Sequence, residues 1–301
     1  MKSQERKRNG MESYEERVHS AFQGARPDVT NPRVLAWLIR RNGLEMTHLS
    51  RGSHIGSILS VAEIVATLYT GTARVDPNNP AWPERDRVVL SKGHAGAAIY
   101  SALAETGFFP VEELATHYAN GSHLSGHVSH RGVPGVELST GALGHGLGMA
   151  AGLALGGKLD GADWRTFVIL GDGECDEGAV WESALQAARY GLDRLIAIVD
   201  YNHMQSLDFV CNTLPLEPFE AKWRDFGWHA ETVDGHDTDA LRSAFDRAKG
   251  HAGSGKPSVI LANTVKGKGV SFMENNILWH YRTPQGEEYE AAWRELEATR
   301  P

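Results

Sequence analysis

The sequence predicts an α/β fold, a parallel sheet with helices on both faces, and three observations carry that expectation. First, the short runs Thr166 to Leu170, Leu195 to Asp200 and Ser258 to Thr264 are rich in Val, Ile, Leu or Phe. They lack the alternation of a half-wet strand, as strands covered on both faces do. Second, Glu177 to Tyr190, between the first two runs, carries Val180, Ala184, Leu185 and Ala188 as a helical stripe. Strand, helix, strand in that order is a βαβ unit, with a crossover that is right-handed in nearly every known case. Third, no internal repeat and no Pro/Ser-rich linker divides the chain, so residues 31–301 are expected to form one α/β domain.

The elements follow in order. Residues 1–30 are polar and charged without an apolar period, which predicts a mobile arm or a segment that orders on a partner. Asn31-Pro32 has the form of a helix start, Asn as the N-cap and Pro at the first helical position. Val34, Leu35, Leu38, Ile39 and Leu44 continue at near-helical spacing towards Met46, and a second apolar helix is expected from Leu59 to Tyr69. His123, His127 and His130 have the i, i+4, i+7 spacing of a helical metal site, but Gly121, Gly126 and Gly132 argue against a helix there. Gly146-Leu147-Gly148-Met149-Ala150-Ala151 fits a loose dinucleotide fingerprint, yet no clear strand precedes it, so helix packing is the better reading.

Composition narrows the function. Lys and Arg total 30 against 38 Asp and Glu, a formal charge of −8, which argues against a nucleic-acid face. No apolar run approaches the ~20 residues of a membrane helix, and the charged start lacks the core of a secretory signal. Two cysteines, Cys175 and Cys211, exclude a disulfide framework, and nothing around Cys175 suggests a nucleophilic thiol. A cytoplasmic enzyme with a small-molecule substrate is the expectation. Glycine is the excess: 33 of 301 residues, in clusters.

Ligands of doubly wound sheets sit outside the carboxyl ends of the strands. Gly171-Asp172-Gly173 follows the first predicted strand, and Asn202 follows the second. A parallel βαβ unit puts both ends on one edge of the sheet, so Asp172 and Asn202 should approach in space. A carboxylate and an amide oxygen are hard donors suited to Mg²⁺ or Ca²⁺, and Mg²⁺ commonly shares its shell with phosphates. The neighbouring glycines let backbone N–H groups reach such a phosphate. The alternative is an Asp in a tight glycine turn and an Asn ending a strand.

Further segments fit one family. They are Ser91-Lys92-Gly93-His94-Ala95, Gly126-His127, and the run from Pro134 to Gly146 containing Gly141-Ala142-Leu143. Val233-Asp234-Gly235-His236-Asp237, Lys266-Gly267-Lys268-Gly269-Val270 and Trp279-His280 complete the set. From about residue 34 to 284 the chain resembles the amino-terminal half of transketolases, and most of all their separately encoded amino-terminal subunits. The resemblance implies a thiamine-diphosphate-binding fold, Mg²⁺ (or Ca²⁺) on Asp172, Asn202 and the Met204 carbonyl, and cofactor contacts from Gly141, Ala142, Leu143, Gly171, Asp172, Gly173, Glu174, Asn202 and His94. It implies His54, His94, His127 and His280 near the reacting carbons, with Glu177 at a subunit contact that couples cofactor sites. The implied reaction moves a two-carbon ketol unit from a ketose (phosphate) donor to an aldehyde acceptor. Such chemistry needs a group to take a hydroxyl proton and donors for a developing oxyanion, which neutral imidazoles provide near pH 7.

Relatives with the whole enzyme in one chain are about twice as long, and their second half supplies a glutamate to the cofactor's aminopyrimidine. The resemblance therefore implies a carboxy-terminal partner subunit in an α₂β₂ assembly. Departures from the common pattern are Gly52-Ser53 in reversed order before His54, Ile55 for proline, His145 for glutamine, and Tyr281-Arg282 for Gly-Lys. These leave the donor and acceptor sugars open. The alternatives are the alpha subunit of a 2-oxo acid dehydrogenase, a nicotinamide oxidoreductase, or a non-catalytic assembly subunit.

Overall fold

Five segments pair side by side and in parallel at the centre of the computed structural model, which describes residues 27–301. They are β1 (Arg87–Leu90), β2 (Thr166–Gly171), β3 (Leu195–Tyr201), β4 (His229–Asp234) and β5 (Ser258–Asn263), in the spatial order β1-β2-β3-β5-β4. Alternate side chains leave opposite faces. Phe167 and Ile169 of β2 join one core with Ile196, Ile198 and Ile260, while Val168 and Leu170 join a second with Ala197, Val199 and Leu261. Both faces of β2, β3 and β5 are therefore dry, which is why these strand sequences do not alternate.

The first face is covered by α1 (Pro32–Ser50), α2 (Ile55–Ser60), α3 (Ala62–Thr67) and α4 (Gly96–Glu105). The second is covered by α5 (Gly146–Leu159), α6 (Gly178–Arg189) and α7 (Phe219–Asp225). Further along the chain, α8 (Thr238–Gly250) returns to the first face through Leu241, Ala244 and Phe245. Last, α9 (Glu287–Ala298) packs Tyr289, Ala292 and Leu296 on a smaller cluster with Leu44, Ile55 and Leu59.

Helix α1 starts where its sequence signals it: the Asn31 side chain accepts the Arg33 N–H at 3.0 Å, and Pro32 opens the first turn. It is buried nearly all round, polar residues included. Arg40 is tolerated because its guanidinium forks onto Glu63 (2.5 and 2.6 Å) and donates to the Leu59 carbonyl. Helix α8 is capped by Asp237, whose side chain accepts from Asp239 and Ala240 N–H.

Several expected boundaries change. The helix placed at Leu59 to Tyr69 begins earlier and is interrupted at Val61, giving α2 and α3. A π turn over Leu68–Thr72 then ends it at Gly71, whose φ of 103° is open to glycine. The third predicted strand stops at Asn263, and Thr264 turns into the following loop. Strands β1 and β4 were not anticipated. The histidines at 123, 127 and 130 lie in irregular backbone, and Gly146–Leu159 is a packing helix, both as expected. The arm expected over residues 1–30 lies, up to residue 26, outside the described residues. Among the described residues no helix is long and apolar enough to cross a membrane.

Candidate active site

The carboxyl ends of β1, β2, β3 and β5 each continue into a turn, and these turns meet at one edge of the sheet. Register places Gly171 opposite Asp200, so Asp172 and Asn202 leave adjacent strand tips. Both side chains are buried. Asp172 accepts the Gly173 N–H at 2.8 Å on one oxygen and the His203 N–H at 2.6 Å on the other. Asn202 Oδ1 accepts the Met204 N–H at 3.2 Å. His203 holds φ at +64°, a left-handed value rare outside glycine, and this is what turns its N–H onto Asp172.

A cavity of about 220 Å³ opens above these tips. Of the residues singled out in the sequence, His54, His94, His127, His280, Gly141, Leu143, Gly171, Asp172, Gly173, Glu174, Asn202 and Met204 all line it. Two do not. Ala142 is exposed, and Glu177 is exposed at the start of α6. Glu174 lines the wall through a carboxylate already engaged by Ser91 Oγ, Gly144 N–H (2.9 Å) and Gly171 N–H (3.1 Å). It ties three turns together. A roomier depression of about 670 Å³ around His229 and Lys256 lies at the opposite end of β4 and β5 and shares no residue with the cavity.

The four histidines come from four segments and converge. Ring centroids of His54 lie 5.2 Å from His94, 5.4 Å from His127 and 5.1 Å from His280. His54 is aimed by its own left-handed backbone (φ 75°) and by its N–H bond to the His280 carbonyl at 2.8 Å. Ser53 Oγ lies 3.1 Å from its Nδ1. His280 Nδ1 is buried and makes no hydrogen bond, an orphan polar atom of the kind that collects at ligand sites.

Burial, with charge second, explains the protonation states. Burial, then the charges of His127, Lys266 and Lys92, pushes His54 down to about 4. Burial, then Lys266, His54 and Lys92, pushes His280 down to about 3. Burial and Lys92 take His94 well below its usual value, and burial alone lowers His127. The quartet is neutral at pH 7. Burial and the Asp200 charge push Asp172 up to about 7, against the Gly173 N–H and the two lysines. Asp200 lies below the usual carboxylate range, because Lys92 and hydrogen bonds from Lys92, Ser60 and Thr264 outweigh its burial.

Lys92 and Lys266 were the omissions of the sequence reading, along with Ser57, Gln205 and Tyr281, which also line the cavity. Lys92 pairs with Asp200, and Lys266 Nζ donates to the carbonyls of Met204 (3.3 Å) and Gln205 (3.0 Å). Both lysines stand inside the quoted glycine motifs. A lysine beside glycine and histidine was a usable signal; its buried partner 108 positions away was not.

Residues 33–296 match the family model described as transketolase, thiamine diphosphate binding domain. The 6-deoxy-6-sulfo-D-fructose transketolase subunit SqwG of Clostridium sp. (strain MSTE9) is 46% identical over 260 residues, covering 86% of this chain and 94% of the relative. An apulose-4-phosphate transketolase subunit of Actinobacillus succinogenes is 43% identical, covering 81% of this chain and 88% of the relative. The crystal structure of transketolase from Campylobacter jejuni superposes with a TM-score of 0.81 at 29% identity, covering 88% of this chain and 42% of that one.

Proposed function

The chain belongs to the transketolase thiamine-diphosphate-binding family, and from that premise we propose that it is the cofactor-binding subunit of a two-component transketolase. In this reading it moves a two-carbon ketol unit from a ketose donor to an aldehyde acceptor, and a carboxy-terminal partner completes the site. The observation that carries the proposal is the convergence of Asp172, Asn202 and four histidines on one cavity at the strand tips.

The residues suit a divalent cation and a diphosphate. Asp172 Oδ, Asn202 Oδ1 and the Met204 carbonyl are hard oxygen donors of the kind Mg²⁺ and Ca²⁺ prefer. A carboxyl raised to about 7 by burial and a like charge returns to the ionised state when a cation lies beside it. Gly171 and Gly173 line the cavity with no side chain to stand in the way of a diphosphate. Thiamine diphosphate, when bound, supplies a nucleophilic carbon and accepts the electron pair of the broken carbon–carbon bond. The chain's own task is proton handling and orientation. His54, His94, His127 and His280, neutral at pH 7, can accept a hydroxyl proton and donate to a carbonyl oxygen as charge develops on it. Neutral rings also grip a polyol without adding a fixed charge to the cavity.

Three features support a partner. The relatives named as subunits are matched over nearly their whole length, whereas the single-chain enzyme is matched over 42%. The cavity of about 220 Å³ falls below the ~300–1,000 Å³ typical of a pocket that encloses a small molecule, in keeping with a ligand shared with another chain. Leu143 just before α5, Met149 on α5 and Leu185 on α6 lie exposed, and Glu177 stands at the start of α6, which fits a contact with another chain. We place this contact in an α₂β₂ assembly in the cytoplasm.

The test is a ketol-transfer assay with thiamine diphosphate and Mg²⁺. The chain alone is expected to be inactive, and activity is expected on adding the co-expressed product of the adjacent reading frame. Asp172→Ala is expected to abolish Mg²⁺-dependent cofactor binding without unfolding the chain. Full cofactor binding by that variant, or robust transfer by the lone chain, would refute the proposal.

A further inference from the structure

We propose that Asp200, held by Lys92, is a positioning residue that fixes the polarity of the Asn202 amide so that its oxygen, not its nitrogen, is presented to the cation. This inference rests on the reading of Asp172 and Asn202 as cation ligands, and it assigns work to a pair outside that ligand set. Asp200 is completely buried one turn of the pleat below Asn202. Its Oδ2 accepts from Lys92 Nζ, from Ser60 Oγ at 2.6 Å and from Asn202 Nδ2 at 3.3 Å, while Oδ1 accepts from Thr264 Oγ1. Donors from β1's turn, α2 and the end of β5 thus meet on one carboxylate.

The chemistry of an amide makes this arrangement decisive. The two ends of Asn are nearly the same size, and only the hydrogen-bond pattern distinguishes them. An ionised carboxylate only accepts, so Asp200 can face the Asn202 NH₂ and never its oxygen. The Met204 N–H enforces the same choice from the other end, because it can only donate to Oδ1. An amide turned over would direct two N–H groups at the cation and leave its oxygen against the Asp200 carboxylate. Lys92 neutralises Asp200, so the anchor adds no net charge beneath Asp172.

The test is equilibrium dialysis of thiamine diphosphate against the complex of the full chain with its co-expressed partner over a series of Mg²⁺ concentrations. Lys92→Met combined with Asp200→Asn replaces the ion pair by neutral groups of similar shape. Such replacements are commonly tolerated, and this one leaves the net charge of the site unchanged. It frees the side chain at 200 to donate as well as accept. The Mg²⁺ concentration for half-saturation should rise by about fivefold or more, towards the ~10–100-fold typical when a residue that orients a metal ligand is lost. Ser60→Ala and Thr264→Val each remove one bond to Asp200 but leave the carboxylate facing Asn202, and should change it by less than about twofold.

A smaller rise in the double variant, or an equal rise in the two controls, overturns the proposal. A wild-type complex of this chain with its partner that binds no Mg²⁺–thiamine diphosphate overturns the reading of the site itself, and this inference with it. Should the double variant not fold, the side-chain NH₂ of Asn202 in the wild-type chain decides by NMR. Slow hydrogen exchange that is unaltered by Mg²⁺ and thiamine diphosphate supports the anchor. Fast exchange, or loss of protection on cation binding, refutes it.

Discussion

Acidification should loosen this protein through its histidine quartet, and the size of the effect follows from two side chains. Burial and neighbouring positive charge lower His54 from 6.5 to about 4 and His280 from 6.5 to about 3. Unfolding releases both rings to their ordinary value, so between pH 6.5 and 4 the unfolded chain binds more protons than the folded one. Stability is therefore intact above pH 6.5 and lost progressively as pH falls towards the folded values. At pH 5.0 each ring is about 1.5 pH units inside that window, and at 1.36 kcal/mol per unit each costs about 2 kcal/mol relative to pH 7.5. Urea unfolding of the full chain at pH 7.5 and pH 5.0, followed by tryptophan fluorescence, measures the difference. His280→Asn should shrink the acid loss by about 2 kcal/mol, and the double variant with His54→Asn by about 4 kcal/mol. If wild type and both variants lose the same stability on acidification, the rings are not held neutral by the site, and the proton-accepting role assigned to them fails as well.

Other perturbations probe the frame around the site. Glu174→Ala strands the Gly144 and Gly171 N–H groups and the Ser91 hydroxyl in a buried place. At about 1–3 kcal/mol per unsatisfied group, urea unfolding should register a loss of at least 3 kcal/mol. A methyl at Gly93 would sit 2.6 Å from the Thr140 backbone carbonyl, so Gly93→Ala should displace the His94 turn and cost about 1–3 kcal/mol by the same assay. Arg40→Met removes the main partner of Glu63, whose carboxyl that guanidinium and His236 hold down at about 2. Leaving that charge buried should cost about 3–5 kcal/mol at pH 7, and the deficit should narrow at acid pH as Glu63 takes up a proton.

The central βαβ unit was legible because β2 and β3 are buried on both faces and α6 is amphipathic, so burial wrote a clear period into each. Strand β1 escaped notice because four residues, Arg87 to Leu90, are too few to show any period. Strand β4 is an edge strand with Glu231 half-buried and Thr232 and Asp234 exposed, and it reads as loop. The break at Val61 left no local mark, since Leu59, Val61, Ile64 and Val65 are apolar on both sides of it. The site divides similarly. Asp172 and Asn202 follow from strand order alone, whereas the histidines came through resemblance, because their convergence depends on loops of 33 positions or more between them, as from His94 to His127. Glu177 and Ala142 lie exposed outside the cavity, and exposure is what the subunit contact expected for Glu177 requires.

Two lysines reconcile demands that otherwise conflict. Under the proposed function the cavity must keep its imidazoles uncharged so that they can accept protons, yet it must hold Asp172 ready to ionise for a cation. Lys92 and Lys266 do both, since positive charge disfavours protonated His54, His94 and His280 and favours ionised Asp172. Two free cations at that spot would repel Mg²⁺, and the fold removes this penalty differently for each. Lys92 is matched by Asp200, and Lys266 is turned onto the carbonyls of Met204 and Gln205 and lowered by burial and Lys92 to about 8. The carbonyl that holds Lys266 in this structure is the same Met204 oxygen assigned to the cation. On that proposed assignment, the ammonium would keep the Gln205 carbonyl and would have a donor left for a diphosphate oxygen once the cation takes the Met204 oxygen.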